Sequence, residues 1–587
     1  MRFKAEDVSL GELFTNNSST YMIPRYQRPF SWSREQISEL WNDLLDSYHE
    51  KDGFFFGTMI FCPNPSENSI SIVDGQQRFT TLTILYASIR DALLGMGEAG
   101  EDKANRIQNE IITSTFSFGD RRPTLSVQDN SRSYFNEYFQ MIPSPKERRP
   151  PKVRSWKRMH SAYVFFSTKI DEVTGRMSDE ASCVEFLWNF SVALSEVRVI
   201  RIDVEKEDDA YVIFETVNAR GTPLDASDLI KNHVFRKVRE SQDGSDTAKF
   251  RWDQIRANLT NYDEDTEKEY NLTKFIRYHW MSKYGFCTVK ELYRRVRERT
   301  DLDMDEFLND LVSDSKIFGD MLRNDLRRFK SEIEHHRYMV RGERSLKNLG
   351  VMGIDQCYVF ILSMCRNLDR LKLKKPKRTH EVLKYIERFN FVYHTVCGRP
   401  ANRVERLYSR CAVLLESAGD GSRSQRSAIE ALYNGLRPLV PPKEQFIDDF
   451  SNISYKKSYK SRAVIRYVFT EFERFHSTGE YTVSKTITIE HVLPREPEPW
   501  GLSRNSVSGY VNGIGNLVLL SQPLNSKAGN KDLEGKIEEL GQSDLHMTRE
   551  LVELIRSMDD PEWGRKQIEE RCADLASRGY DEIWKIG

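Results

Sequence analysis

No run of this chain approaches the ~20 consecutive apolar residues that a membrane-spanning helix needs. The opening residues, Met1-Arg2-Phe3-Lys4-Ala5-Glu6-Asp7, carry no apolar signal core. The expectation is a cytoplasmic protein with no membrane partner. Cysteine is sparse: 8 residues, scattered from Cys62 to Cys572, none in a C-x-x-C pair. That argues against a disulfide framework and against a zinc knot of paired thiolates, and it suits a reducing compartment. An excess of one charge is also missing. Lys and Arg number 87 against 88 Asp and Glu, a formal net charge of -1. A polycation is excluded, so any nucleic-acid contact must come from local basic patches. There is no G-x-x-x-x-G-K-[ST], which excludes a P-loop as an engine. Internal repeats and long low-complexity tracts are absent too.

What is present is the composition of a soluble globular protein, 39% hydrophobic and 30% charged. The length predicts about three or four domains. The pattern predicts a multidomain α+β protein, mostly helical, divided at residues 1–240, 241–425 and 426–587.

In the first division, Phe54–Phe61 is an apolar run of strand length. A turn of Pro63, Asn64 and Pro65 separates it from Ser69–Val73, which predicts a hairpin. Leu82, Leu85, Tyr86, Ile89 and Leu93 then recur at helical spacing. Asp74-Gly75-Gln76-Gln77-Arg78 therefore stands where a strand gives way to a helix. Backbone N–H groups at such a helix start attract anions, Gly75 permits close approach, and Arg78 can fork onto a phosphate. Upstream, Arg25, Tyr26, Gln27 and Arg28 sit in a Pro-bounded loop before a capping box at Ser33 and Gln36. Such a set can stack on a base or bond a phosphate, although Tyr26 and Trp32 read equally well as core aromatics. A third stretch, Tyr211–Leu224 followed by Ser227–Asn232, gathers Glu215, Asn218, Arg220 and Lys231 around a turn at Gly221. Asp225 or Ser227 caps the helix that follows.

Residues 241–440 carry amphipathic helical patterns, such as Phe307, Leu308, Leu311, Ile317 and Phe318 within Asp303–Leu322. They read as a helical spacer. Basic runs occur at Lys146–Arg158, Lys372–Arg378 and Lys456–Arg466. A charge run is most often a solvated face. The third run, with Lys456, Lys457, Lys460 and Tyr459, is the best candidate for a surface that tracks phosphates. Gly419–Arg426 reads as a loop between divisions.

Near the C-terminus, Ile489-Glu490-His491-Val492-Leu493-Pro494 is followed by Gly515-Asn516-Leu517-Val518-Leu519-Leu520 and then Leu524-Asn525-Ser526-Lys527. A neutral imidazole near pH 7 can take a proton from water, a role for His491. A hard cation, Mg²⁺ or Mn²⁺, prefers oxygen ligands, which Glu490 and the amide of Asn525 can supply. Neighbouring strand residues point to opposite faces, so Glu490 and His491 share a site only if the strand bends or a twisted hairpin brings another element across. The order resembles the β-β-α hairpin of HNH, or His-Me finger, nucleases. That resemblance implies that Asn516, on the second strand, fixes the imidazole by a hydrogen bond. It also implies that Asn525 starts the following helix, near Asp532 to Leu540. The C-x-x-C zinc pairs of many HNH domains are missing, and the loop from Arg495 to Gly513 is long for a hairpin.

The three N-terminal stretches together resemble the N-terminal domain of GmrSD-type modification-dependent restriction endonucleases. The shared motifs are I-P-x-Y-Q-R, D-G-Q-Q-R-x-T and F-E-x-x-N-x-R-G-x-x-L, in order from about Gly11 to about Phe235. The C-terminal segment resembles the partner domain of the same family, with E-H-[IV]-L-P and later G-N-L and N-x-K; SspE-type phage-defence nucleases share the plan. The resemblance implies a ParB/sulfiredoxin-like first domain that senses modified double-stranded DNA. There Asp74, Gly75, Gln76, Gln77 and Arg78 would contact the phosphates or the attacking water of a nucleoside triphosphate, GTP or another, with Mg²⁺. The implied function is a phage-defence endonuclease licensed by NTP that nicks DNA, or cleaves both strands as a homodimer. Two other readings stay open: a nucleotide-gated DNA sensor with a weak nuclease, and an RNase toxin with the same finger.

Overall fold

The computed structural model describes residues 3–15, 19–24, 27, 29–50, 54–64, 68–115, 121–127, 132–142, 151, 154–205, 225–238, 247–263, 266–326, 333–367, 376–418, 422–477 and 486–587. Arg25, Tyr26, Arg28 and the whole Tyr211–Leu224 stretch lie outside the described residues, as do parts of the first two basic runs and of Gly419–Arg426. The protein is mostly helical with a small mixed sheet, and it gathers into two compact units, 1–232 and 233–587.

The first unit is built on six strands: β1 (Phe3–Ser9), β2 (Thr20–Ile23), β3 (Phe55–Asn64), β4 (Ser69–Asp74), β5 (Leu125–Val127) and β6 (Arg198–Val204). Their order is β1-β6-β3-β4-β2-β5. The predicted hairpin is the antiparallel β3–β4 pair, with Cys62 opposite Ser71 and a register shift between Ile60 and Phe61. Helix α1 (Arg34–Glu50) begins at the Ser33–Gln36 box, where Ser33 N–H donates to Gln36 Oε1 at 2.9 Å. It buries Ile37, Leu40, Trp41 and Leu44. Helix α2 (Gln76–Leu94) is buried on nearly all sides. A helix so placed cannot show a polar stripe to water. Its hydroxyls turn inward instead: Thr81, Thr83 and Ser88 donate to carbonyls four residues back at 2.8, 3.0 and 2.9 Å. Arg90, fully buried, is satisfied by Asp91, Gln108 and the Phe139 carbonyl.

Gly75 joins β4 to α2 with φ of +98°, and a Cβ there would lie 2.8 Å from Cγ of Met59. Only glycine fits both the backbone and the space.

The second unit contains helices α3 (Leu272–Lys283), α4 (Met304–Leu322), α5 (Ile333–Met352), α6 (Tyr358–Asn367), α7 (Pro376–Asn390), α8 (Ala401–Ser417) and α9 (Tyr459–His476). The predicted helix over Asp303–Leu322 is α4, capped by the Asp303 side chain. Its buried Asp314 accepts from Arg366 of α6 at 2.6 and 2.8 Å and faces His279 of α3 at 2.6 Å. A second buried carboxylate, Glu387 of α7, accepts from Ser345 and Asn348 of α5 and from Tyr467 of α9 at 2.6, 2.9 and 3.0 Å. Trp584 donates to the same Tyr467 hydroxyl at 3.1 Å and lies 4.3 Å from the Phe391 ring. The helical middle and the C-terminal segment therefore share one core.

Two predictions follow from this packing. Gly75→Ala should destabilise the first unit by about 2–4 kcal/mol, from the left-handed backbone and the clash with Met59; urea unfolding measures it, and an unchanged midpoint refutes the reading. The second concerns acid. Burial and the cations Lys384, Arg341, Arg344 and Arg388 hold His380 down at about 4. Burial alone would raise Glu471, but Lys384 and Arg474 outweigh it and bring it to about 2. Below about pH 6.5 the unfolded chain takes up the histidine proton and the folded chain does not, so stability falls from there to about 4. The Glu471 contribution is present above about 4.5 and is lost as pH falls toward 2. Thermal melts should therefore show the second unit weakening steadily on acidification, with a shallower slope above pH 4 in His380→Gln.

Candidate functional site

Two short strands, β7 (Ile487–His491) and β8 (Leu517–Ser521), pair antiparallel with His491 opposite Leu517 and Glu490 opposite Val518. Helix α10 (Gln522–Ala528) follows at once and α11 (Leu533–Leu540) next. Asn525 belongs to the middle of α10 rather than to the start of the helix near Asp532, because Pro523 seats a first helical turn directly after the strand. Asp532 caps α11 instead, accepting from Gly535 N–H at 3.0 Å.

His491 lies edge-on to Tyr455, ring centres 5.0 Å apart, and its Nε2 is 3.1 Å from Oδ1 of Asn512. An amide oxygen accepts, so Nε2 carries the proton and Nδ1 keeps the lone pair. Burial pushes the imidazole down to about 4, with the Asn512 bond acting against it and Arg495 and Lys536 adding to it. The ring is neutral at pH 7.

Asn516 does not hold the imidazole. It is fully buried in a 3-10 turn just before β8. Its Oδ1 accepts from Leu493 N–H at 2.9 Å and Trp563 Nε1 at 3.0 Å. Its Nδ2 donates to the carbonyls of Leu493 and Val511 at 2.9 and 2.7 Å. With every polar atom engaged elsewhere, it ties the two ends of the long loop together, and Asn512 within that loop meets the histidine.

Glu490 is 8% exposed and pairs with the fully buried ammonium of Lys536, on α11. Lys536 also donates to the His491 carbonyl at 3.0 Å. Burial raises the Glu490 carboxyl and lowers the Lys536 ammonium, their mutual attraction working against both shifts. Asn525 Nδ2 donates to Thr488 Oγ1 at 2.8 Å, and its amide also steadies the Glu490 carboxylate. Asn525 and Glu490 thus meet beside β7, while the His491 ring, next along the strand, is bonded to Asn512. Carboxylate and amide oxygens are the donors a hard cation takes, and Lys536 competes with such an ion for Glu490. Nothing in the sequence marks Lys536, which reads as a solvated lysine of an amphipathic helix.

Beside the hairpin lies a cavity of about 920 Å³. Thr488 and Ile489 of β7 form one side, Tyr455, Tyr459, Arg462 and Arg466 another, and Arg344 and Lys347 of α5 a third. Lys456 and Lys460 face a different hollow of about 270 Å³, with His394 and Asp449; Lys457 is exposed. Elsewhere in the unit His476 and His546 stack at 3.9 Å beside Glu550, a trio with the spacing of metal ligands. Arg578 already occupies it, paired with Glu550 and 3.3 Å from His476 Nε2.

In the first unit the Asp74–Arg78 turn is bound up with its neighbours. Arg78 donates to the carbonyls of Phe56 and Thr58 at 3.0 and 2.6 Å and to Asp74 at 3.2 Å. Gln77 Oε1 accepts from Ser31 N–H at 2.7 Å, and Gln27 donates to the Val73 carbonyl at 3.0 Å. Gln76 is buried with Oε1 unpartnered. The space between this turn and the Pro24–Phe30 loop is about 10 Å³. As they stand, Gln77 and Arg78 latch chain segments together and do not present a phosphate grip.

Two family models match the chain: the N-terminal domain of GmrSD restriction endonucleases over residues 10–235, and their C-terminal domain over residues 440–578. No curated protein matches it. Among the described residues no helix is long and apolar enough to cross a membrane.

Asn516→Ala should cost about 2–4 kcal/mol of stability, since it strands a buried indole N–H and backbone groups. Asn512→Ala should cost about 1 kcal/mol. Denaturant titration of both variants separates the residue that holds the loop from the one that holds the ring; equal losses would erase the distinction.

Proposed function

The chain belongs to the GmrSD restriction endonucleases, and from that premise we propose that it is a phage-defence enzyme that cuts DNA at the β7–β8–α10 hairpin, an HNH-type finger. The observation that carries this reading is the His491 ring held through Nε2 by Asn512 at the end of β7, next along the strand to Glu490, which Asn525 meets. Nδ1 takes a proton from water; the water oxygen bonds phosphorus, and the bond from phosphorus to the leaving sugar oxygen breaks. Asn512 fixes the ring's orientation and tautomer. Glu490 and Asn525 are the oxygens that would hold Mg²⁺ or Mn²⁺, which when bound supplies positive charge near the leaving oxygen. Lys536 keeps the Glu490 carboxylate compensated and anchors the strand at His491.

The first unit is proposed as the ParB-like sensor of modified DNA. In support, the Pro24–Phe30 loop, which carries Arg25, Tyr26, Gln27 and Arg28, leans on the Asp74–Arg78 turn through Gln27 and Ser31. Movement of one would pull on the other. The NTP that the family reading implies does not fit Gln77 and Arg78 in their present bonding, and no step is assigned to it. The lysines Lys456, Lys457 and Lys460 are proposed as outlying phosphate contacts.

Supercoiled plasmid, with Mg²⁺ or Mn²⁺, should become open-circle or linear in the presence of the protein. His491→Ala should slow this by about 10²–10⁴-fold, the range of a lost general base, while retaining DNA binding. Asn512→Ala should fall between the two. Undiminished cutting by pure His491→Ala protein would remove the histidine from the reaction.

A further inference from the structure

We propose that the 920 Å³ cavity beside the hairpin is a cradle for a single DNA strand, built mainly by helices α5 and α9. The proposal rests on the nuclease reading of the hairpin and adds a binding site to it. Five cations line the cavity, Arg344, Lys347, Arg462, Arg466 and Arg474, against one carboxylate, Glu343. That carboxylate is already engaged, accepting from Leu326 N–H at 3.0 Å. Among the described residues Lys347, Arg462 and Arg466 have no carboxylate partner. A protein of net charge -1 has no general excess of cations to scatter. Arg474 is paired with Glu471; gathering the remaining four around one hollow costs repulsion, which an anionic ligand relieves.

The ligand is a polyanion with flat apolar parts. The cavity stands at the upper end of the ~300–1,000 Å³ that small-ligand pockets span, too large for a lone phosphate and too confined for a duplex. Tyr459 stands at its edge, 77% exposed, an aromatic with no core to serve. Tyr455 lines the cavity with one part and touches the His491 ring with another. Cations that follow a backbone, interleaved with tyrosines on which bases stack, are the means by which proteins hold unpaired strands. Thr488 and Ile489 carry the cavity wall into β7, two residues from His491. A strand seated here runs directly into the reactive end of the hairpin.

The test uses the full chain carrying His491→Ala, in EDTA so that nothing is cut. Anisotropy of a labelled mixed-sequence oligonucleotide reads binding as a single strand and as a blunt duplex, over a range of salt. The expected result is tighter binding of the single strand. Lys347→Ala with Arg462→Ala should weaken it by about ten-fold and flatten the log–log salt slope by about 0.7 per contact removed. Tyr459→Ala should weaken binding without changing that slope, and Tyr459→Trp should restore it. Lys566→Ala, an exposed lysine at 80% on another face, should change nothing. Unchanged affinity and slope in the Lys347/Arg462 pair, an equal loss in Lys566→Ala, or a preference for duplex would each overturn the cradle. The two readings fail separately. Plasmid cutting that the Lys347/Arg462 pair leaves intact, with strand binding unchanged, removes the cradle and spares the nuclease. Cutting that survives His491→Ala removes the assigned nuclease site and leaves the binding result standing.

Discussion

The His491 end of the hairpin depends on the side chain of one buried amide. Asn516 bonds the backbone of Leu493 through both its N–H and its carbonyl, and it adds Val511 and the Trp563 indole. With no metal knot to close it, a loop this long would otherwise be free to sample many shapes, at an entropic cost that grows slowly with its length. Asn516 closes it from inside. That closure is what presents Asn512 to His491, so the tautomer of the imidazole is set by a residue that never touches it.

The electrostatics near the hairpin fall into two zones. Within it, a carboxylate and an ammonium are buried against each other at Glu490 and Lys536, and the histidine stays neutral. A buried pair of this kind adds little net stability over apolar packing but is costly to break on one side, which holds α11 to β7 in a single register. Outside it, cations on α5 and α9 face open space. Positive charge thus stands at the rim, while the centre is kept close to neutral.

The sequence announces the hairpin better than its supports. The β3–β4 hairpin, the Ser33–Gln36 cap, α4 and the β7–β8 pair are all legible, because each is set by local periodicity or by turn chemistry. Asn516 is expected to hold the imidazole; Asn512, for which the sequence suggests no part, holds it instead. Both lie on the same short approach to β8, and which one reaches the histidine is decided by how the loop folds back, a non-local matter. Lys536 was invisible for the same reason: a lone lysine in an amphipathic helix looks solvated until β7 packs on it. In the first unit Arg78 has the right residue type for a phosphate, yet the carbonyls of Phe56 and Thr58 on the neighbouring strand reach it first.

The region matching the family's C-terminal domain ends at residue 578, but the indole of Trp584 lies beyond it, wedged among Phe391, Phe446 and Tyr467. Glu387 likewise draws α5, α7 and α9 onto one carboxylate. Such a core has no clean seam. A laboratory graft that exchanged only residues 440–578 would part Trp584 from Phe446 and Tyr467 and take one donor from the buried Glu387. The packing unit of this half of the molecule is the whole of 233–587, helices and hairpin together.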